Sequence, residues 1–414
     1  MLRTRWPRFE QIRSMVRQRR IPFRIARWMS RDAERSRLWR LARRFCDSPS
    51  DFYRRFGFFP LPVQTAPHTA FEYAVYERVE PNAATEPPPA IHDPAEWVRW
   101  TTGMPPHLVE LDLQSCHIVT VPQGRVDCSG NVFSEDGCLV TGASHPARRN
   151  TGSYYLPSHV FPRTYTSDCV VAATSGVQDN YFHWMMDVLP RVHMARGTDG
   201  KIYIKTTAPF QRETLSLLGI GVDRIIPAEN YPMAAASRLI VPFHEVKRSA
   251  FPQWVCDFLR ESILPRIPAA HPADGGRRIY ITRRGARTRR VVNEAELLGL
   301  LEPLGFQRVE LAGRSVVEQA GLFHRAEAII APHGAALANL VFCCPGTKVV
   351  EIQPHKLQDV FFRLARRMSI CYSYLRSSTG PTHPVNNHQD LTVDLEQMRR
   401  TLALAGINEP AFSP

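Results

Sequence analysis

Short β-branched and apolar runs alternate with amphipathic segments through the second half of the chain. Runs of four to six such residues, bounded by glycine, proline or polar turns, are typical of strands buried in a parallel sheet. The predicted strands are, in order, 278–281, 306–311, 328–331, 347–352 and 370–375. Helical segments separate them, so we predict an α/β class with a parallel, doubly wound sheet.

A weaker alternation of the same kind precedes it. The predicted strands there are 170–173, 201–204, 224–226 and 238–241, with helices at 211–218 and 254–263. Upstream, residues 107–142 combine short β-prone pieces with turn signals, which indicates a small antiparallel layer at the edge of this first domain. The predicted division is 1–58 (helical arm), 59–264 (first domain), 265–276 (proline- and glycine-rich hinge), 277–380 (second domain) and 381–414 (tail with a helix).

One strand-turn-helix-strand unit, residues 326–351, stands out. Its turn, at His333 and Gly334, falls at the carboxyl edge of the predicted sheet, where ligands bind in such folds. Glycine allows close approach of a ligand, and the following helix directs free amide groups toward it. His333, Asn339 and Glu351 are the polar groups best placed to touch a ligand. Alternatively, His333 only caps the turn and Glu351 is a solvated strand end.

A second feature is an arginine-rich loop, residues 282–290, which directly follows the strand at 278–281. It contains five arginines in nine residues. Guanidinium groups bind phosphate oxygens as a bidentate fork, so the loop is a candidate phosphate site. The alternative is a solvated basic loop without a ligand.

A third feature is a histidine–aspartate pair in the first domain. His183 and Asp187 are four residues apart in the segment NYFHWMMDVLPR, so a helix places them on one face. A carboxylate beside an imidazole fixes its tautomer and raises its basicity, as a general base requires. Alternatively, the pair satisfies polar groups inside an otherwise apolar helix.

The net charge of +13 is concentrated at one end of the chain. Residues 1–58 contain 17 arginines and five acidic residues, which leaves the remainder near neutral. Because a nucleic-acid-binding protein usually spreads positive charge over its folded domain, we do not expect a nucleic-acid partner. Apolar residues recur at helical spacing in this arm. It is predicted either to bind an anionic membrane surface or to pack on protein.

Two further sequence features concern the compartment. No apolar run reaches the roughly 18 residues of a spanning helix, and the basic amino terminus lacks the apolar core of a signal peptide. We therefore expect a cytoplasmic protein, peripheral at the inner membrane face if the arm binds lipid. The nine cysteines show no zinc-type spacing. Reduced thiols are expected, although Cys116, Cys128 and Cys138 are close enough to leave a local disulfide open.

The combination of the Asn180–Arg191 cluster, the Thr282–Glu294 loop and the string APHGAALAN followed by VVEI resembles glycosyltransferase family 61. That family, formerly a domain of unknown function, includes eukaryotic N-acetylglucosaminyl and xylosyl transferases. The resemblance covers roughly residues 165–375. Two mild departures are Thr282, where the family often has serine, and Ala336, where it often has glycine.

The resemblance implies a GT-B fold, in which two Rossmann-like domains face a cleft and the second holds a nucleotide sugar. The implied donor-binding residues are Arg283 and Arg290 on the diphosphate, Arg284 or Arg287 assisting, His333, Gly334 and Asn339 in the nucleotide pocket, and Glu351 on the ribose. The family is thought to invert the anomeric centre, so an acceptor base is needed, and His183 or Asp187 is our candidate.

Several further expectations follow from the resemblance. The chain has no Asp-x-Asp motif, so neither a metal nor another cofactor is expected, and arginines would offset the leaving-group charge. The implied partners are a nucleotide-sugar donor, UDP-linked, and a glycan or lipid-linked saccharide acceptor in surface polysaccharide synthesis. The alternatives are a non-catalytic nucleotide- or glycan-binding protein on the same fold and, more remotely, a nucleic-acid binder that uses the arm.

Overall fold

The structure is a computed structural model, and it describes only part of the chain. The described residues are 65–67, 70, 72–78, 115–135, 138–141, 143–144, 164–175, 177–243, 252–268, 276–378 and 388–407. The predicted basic arm, 1–58, and most of the predicted hinge lie outside them, so both stay predictions. No helix within the described ranges is long and apolar enough to cross a membrane.

The first sheet contains nine of the described strands. They are β1 (Thr65–Pro67), β2 (Glu72–Arg78), β3 (Ser115–Asp127), β4 (Val132–Phe133), β5 (Leu139–Thr141), β6 (Thr164–Ala172), β7 (Lys201–Ile204), β8 (Ile225–Pro227) and β9 (Met233–Phe243). Their order is β1-β5-β4-β3-β9-β6-β7-β8, with β2 also paired to β3. Strands β9, β6, β7 and β8 are mutually parallel.

The antiparallel strands are part of this sheet and not a separate edge layer. The long strand β3 pairs antiparallel with β9, from His117 opposite Phe243 to Asp127 opposite Met233. Continuous backbone hydrogen bonding therefore joins the predicted antiparallel pieces to the parallel strands. No disulfide joins Cys116, Cys128 and Cys138 in the described part of the chain, so the local disulfide that the sequence left open is not formed there.

Three helices accompany the first sheet. The first, α1, runs through the consecutive pieces Tyr181–His183, Trp184–Val188 and Leu189–Met194, of which the middle one is a π-helix. Helix α2 spans Pro209–Leu217 and helix α3 spans Gln253–Ile263.

The second sheet confirms the predicted parallel arrangement. Its strands are β10 (Arg278–Ile281), β11 (Phe306–Val309), β12 (Ala328–Pro332), β13 (Lys348–Gln353) and β14 (Cys371–Arg376), and every neighbouring pair is parallel. The helices are α4 (Glu294–Leu301), α5 (Val316–Arg325), α6 (Val360–Arg367) and α7 (Leu395–Leu404). The segment after Gly334 is a 3-10 helix, Ala335–Phe342, where we expected an α-helix.

Strand order in the second sheet decides where its loops meet. The order is β11-β10-β12-β13-β14, so β10 and β12 are neighbours although β11 lies between them in sequence. In doubly wound sheets of this order, ligands bind at the carboxyl ends of the two strands where the winding reverses. Those ends carry the arginine loop and His333, which the fold therefore brings to one place.

The two sheets share buried apolar contacts. The largest buried cluster includes Ile204 from β7 and Ile329 from β12. The Glu213 carboxylate on α2 also accepts the backbone N–H groups of Val316 and Val317 at 2.8 and 3.1 Å. Those amides begin α5, where free donors need acceptors. Packing and hydrogen bonding thus hold α1 and α2 against the second sheet.

Candidate functional site

Arg283 follows β10 and lies against Gly334. A Cβ added to Gly334 would come within 2.2 Å of Arg283 Nη1. The φ of Gly334 is 173°, which is extended backbone, so glycine is needed here for space. Arg283 Nη2 donates to the carbonyl oxygen of Thr288 at 3.1 Å, which holds the guanidinium across its own loop.

Arg289 approaches the same turn from the other end of the loop. Its Nη1 donates to the carbonyl oxygen of His333 at 3.2 Å, and its φ of 57° lies in the left-handed region. Its Nε is buried and has no hydrogen-bond partner in the part of the chain that the structure describes. A buried donor without an acceptor is costly, so this nitrogen suits an anionic ligand.

The electrostatics of these two arginines indicate an anion site. Burial, and then the charge of Arg289, lowers the pKa of Arg283. Burial also lowers the pKa of Arg289, against the opposing charge of Glu351. Neither forms an ion pair among the described residues. Two adjacent, half-buried cations without a carboxylate partner are stabilised by a bound anion, and phosphate oxygens match their geometry. The arginine-rich loop is therefore not a purely solvated basic loop.

The other arginines of the loop have different surroundings. Arg284 and Arg287 are exposed. Arg290, which we expected on the diphosphate, donates through Nε and Nη2 to Asp390 Oδ2 at 3.0 and 2.5 Å. These hydrogen bonds lower the pKa of Asp390. Arg290 thus has a carboxylate partner, and Arg289 has none within the described part of the chain. Geometry therefore favours Arg289 for the anion, and the diphosphate role of Arg290 stays a prediction.

His333 belongs to a buried hydrogen-bonded chain. Its Nδ1 lies 2.5 Å from Glu351 Oε1, and the Tyr372 hydroxyl donates to the other oxygen of that carboxylate. Burial, followed by the charge of Glu351, raises the pKa of Tyr372, so the phenol keeps its proton. Glu351 is fully buried. It is therefore not a solvated strand end. Its contacts favour a role in holding His333, and the ribose contact stays a prediction.

Asn339 is also fully buried and joins three elements. Its Oδ1 accepts from the Tyr181 hydroxyl at 2.7 Å, and its Nδ2 donates to Gln319 Oε1 at 3.0 Å. It thereby ties the start of α1 to α5 through the 3-10 helix. We expected Asn339 in the nucleotide pocket. Its burial does not favour a direct contact with the sugar nucleotide, so that contact stays a prediction.

Replacing Asn339 with alanine is expected to destabilise the fold by about 2 kcal/mol, because the Tyr181 hydroxyl and the Gln319 amide lose a buried partner. Chemical denaturation monitored by circular dichroism measures the change. The matched control is Asn230→Ala, at an exposed turn position, where we expect less than about 0.5 kcal/mol. Equal losses for the two variants would contradict the junction role of Asn339.

The predicted histidine–aspartate pair is present on α1. His183 Nδ1 lies 2.6 Å from Asp187 Oδ2, and the two side chains are 37% and 5% exposed. Asp187 lies in the π-helical piece, a distortion that often marks functional positions. The buried carboxylate orients the ring while the imidazole remains reachable, which is the arrangement a general base requires.

Aromatic packing connects the two histidine sites. The Phe182 ring contacts Phe361 of α6 edge-on, at 5.6 Å between centroids, and the Phe361 ring lies 5.2 Å from that of His333. The start of α1 therefore sits against the carboxyl edge of the second sheet. Sequence reasoning missed Tyr181, Phe361 and Tyr372, because nothing local to them signals a role.

Residues 181–350 match the family model described as Glycosyltransferase 61. A curated relative, the beta-1,2-xylosyltransferase XAX1 of Oryza sativa subsp. japonica, is 27% identical over 209 residues, which are 45% of this chain and 37% of that protein. The chain thus spans well under two-thirds of that relative. Both findings agree with the resemblance drawn from the motifs, which is to glycosyltransferase family 61.

Proposed function

We propose that this protein is a GT-B-type glycosyltransferase. It would transfer a sugar from a UDP-linked donor to a glycan or lipid-linked saccharide, with inversion and without a metal. The observation that carries the proposal is the pair Arg283 and Arg289, which have no carboxylate partner among the described residues and meet at the His333–Gly334 turn. The family match supports the reaction class, and the strand order supports the location.

In the proposed reaction the two arginines bind the diphosphate and balance the charge that grows on it as the sugar leaves. His183 removes the proton from the acceptor hydroxyl, while Asp187 holds its ring. The acceptor oxygen then attacks the anomeric carbon from the side opposite the diphosphate, which inverts that centre. His183 suits this role because it is partly exposed and paired to a buried carboxylate.

The setting of the reaction is a further part of the proposal. The 17 arginines of residues 1–58 would hold the enzyme at the anionic inner face of a membrane, near lipid-linked acceptors of surface polysaccharide synthesis. Flotation with anionic vesicles tests this. A protein lacking residues 1–58 should lose vesicle binding, and unchanged flotation would contradict the membrane role.

The experiment for the activity starts with thermal stabilisation by a panel of nucleotides and nucleotide sugars, because a ligand of the folded state raises the melting temperature. The stabilising sugar nucleotide is then assayed for transfer to saccharide acceptors and for hydrolysis. We expect stabilisation by UDP and by one UDP-sugar, with turnover of the latter. Binding without any turnover would instead support a non-catalytic binding protein.

A matched pair of variants locates the activity. Arg283→Ala should weaken UDP binding about 100-fold, since it removes a half-buried charge-assisted contact. Arg399→Ala removes the same charge from the exposed face of α7 and should leave binding within about 2-fold. Equal affinities for the two variants would contradict the proposed donor site.

A further inference from the structure

The described residues include two histidine–carboxylate pairs, and the proposed reaction so far uses only His183 and Asp187 for proton transfer. The second pair, His333 and Glu351, is more deeply buried: the side chains are 11% and 0% exposed. It is also more elaborate, because Glu351 accepts from Tyr372 and the Tyr372 hydroxyl accepts from Gln353 Nε2 at 3.1 Å. A ring that only filled space at the turn would not need this chain.

These contacts determine which ring nitrogen is available. Because Glu351 is a carboxylate held by a phenol that keeps its proton, it accepts the Nδ1–H of His333. The other nitrogen, Nε2, has no hydrogen-bond partner among the described residues. The ring can therefore exchange a proton with a ligand only through Nε2.

The same turn also carries the anion site. Arg289 contacts the His333 carbonyl, and the Arg283 guanidinium lies on Gly334. The Phe361 ring packs against that of His333, with 5.2 Å between the centroids. A phosphate bound by the two arginines would thus lie at the turn that presents His333.

We propose that His333 is a catalytic acid of the transfer, with Glu351 and Tyr372 as its positioning residues; this rests on the proposed function. As the bond between the anomeric carbon and the phosphate oxygen breaks, its electron pair goes to that oxygen. That oxygen takes the proton from Nε2 of His333, whose ring starts as the imidazolium with its Nδ1–H held by Glu351 and becomes the neutral imidazole. The new bond forms between the anomeric carbon and the acceptor oxygen, whose proton goes to His183. Exchange with water returns both histidines to their starting states.

The test separates donor binding from turnover. His333→Gln keeps an amide donor but cannot deliver a proton, so kcat should fall about 100-fold or more while Kd for UDP stays within about 3-fold. Glu351→Gln and Tyr372→Phe should lower kcat about 10-fold with little change in KM, because they loosen the ring without touching the donor. Stopped assays give kcat and KM, and calorimetry gives Kd for UDP.

The matched control is Tyr280→Phe. Tyr280 of the same sheet is buried and donates to Glu294 of α4 at 3.0 Å in a partly buried hydrogen bond. This variant therefore removes a tyrosine–glutamate bond that contacts no histidine among the described residues. Its kcat should stay within about 2-fold of wild type, and its loss of melting temperature should resemble that of Tyr372→Phe. An equal fall in kcat in both tyrosine variants would overturn the positioning role.

The outcomes separate this inference from the function on which it rests. Absence of transfer by the wild-type protein would sink the proposed function. If the wild type transfers sugar and His333→Gln has an unchanged kcat, only the acid role of His333 is contradicted. The same holds if His333→Gln has a raised KM and Kd at constant kcat, because His333 would then merely hold the sugar nucleotide. If His333→Gln does not fold, Tyr372→Phe carries the same test through its kcat and KM.

Discussion

Replacing Gly334 with alanine is expected to weaken UDP binding about 100-fold, or about 2.7 kcal/mol, while the fold survives. The backbone at Gly334 is extended, so alanine adopts it without strain. The added methyl group would lie 2.2 Å from Arg283 Nη1, the mobile end of a flexible side chain. The guanidinium must therefore move away, and the anion site loses one of its two cations.

Calorimetry with UDP measures this effect, and a melting curve checks the fold. Gly299→Ala is the matched control, because nothing lies within 4 Å of its added Cβ on α4. It should leave affinity unchanged and stabilise the protein by about 0.5–1 kcal/mol through helix propensity. If Gly334→Ala binds UDP with an affinity within 2-fold of wild type, UDP binding does not depend on the position of the Arg283 guanidinium against Gly334.

Replacing Trp184 with alanine is expected to destabilise the protein by about 3–5 kcal/mol. The indole is fully buried in the core shared by the two sheets, and its Nε1 donates to Thr214 Oγ1 at 2.8 Å. Truncation leaves a large cavity and an α2 hydroxyl without its donor. The loss is a large part of the roughly 5–15 kcal/mol that stabilises a typical domain.

Chemical denaturation gives the free energy of unfolding for this variant. Val222→Ala serves as the control, because that side chain is 88% exposed and its truncation should cost less than about 0.5 kcal/mol. Trp184 also lies next to His183, so loss of transfer should accompany the loss of stability. A change below 1 kcal/mol would contradict the shared core around α1.

The second sheet was predictable because its signals are local. Strands β10, β12 and β13 each contain a short apolar run, and Ser315 with Glu318 forms a capping box at the start of α5. Doubly wound sheets have more than one common strand order, so the observed order, with β10 beside β12, is what brings the arginine loop and His333 together. The resemblance had implied only that both belong to a donor site.

The contacts within the site depend on residues far apart in sequence. In the sequence, the five arginines of the nine-residue loop look equivalent. In the structure, Arg290 pairs with Asp390, which is 100 positions away along the chain. The partner of Glu351 is Tyr372 on the next strand, and the partner of Asn339 is Tyr181 on α1. No spacing rule reveals such pairs, so Arg289 and Tyr372 were missed.

The central claim is that the turn at His333 and Gly334, with Arg283 and Arg289, binds the diphosphate of the donor. A crystal structure of the protein with UDP tests it most directly. We predict phosphate oxygens within hydrogen-bond distance of the Arg283 and Arg289 guanidiniums, including the Arg289 Nε. Ordered UDP bound elsewhere, with both guanidiniums left without phosphate, would contradict the account.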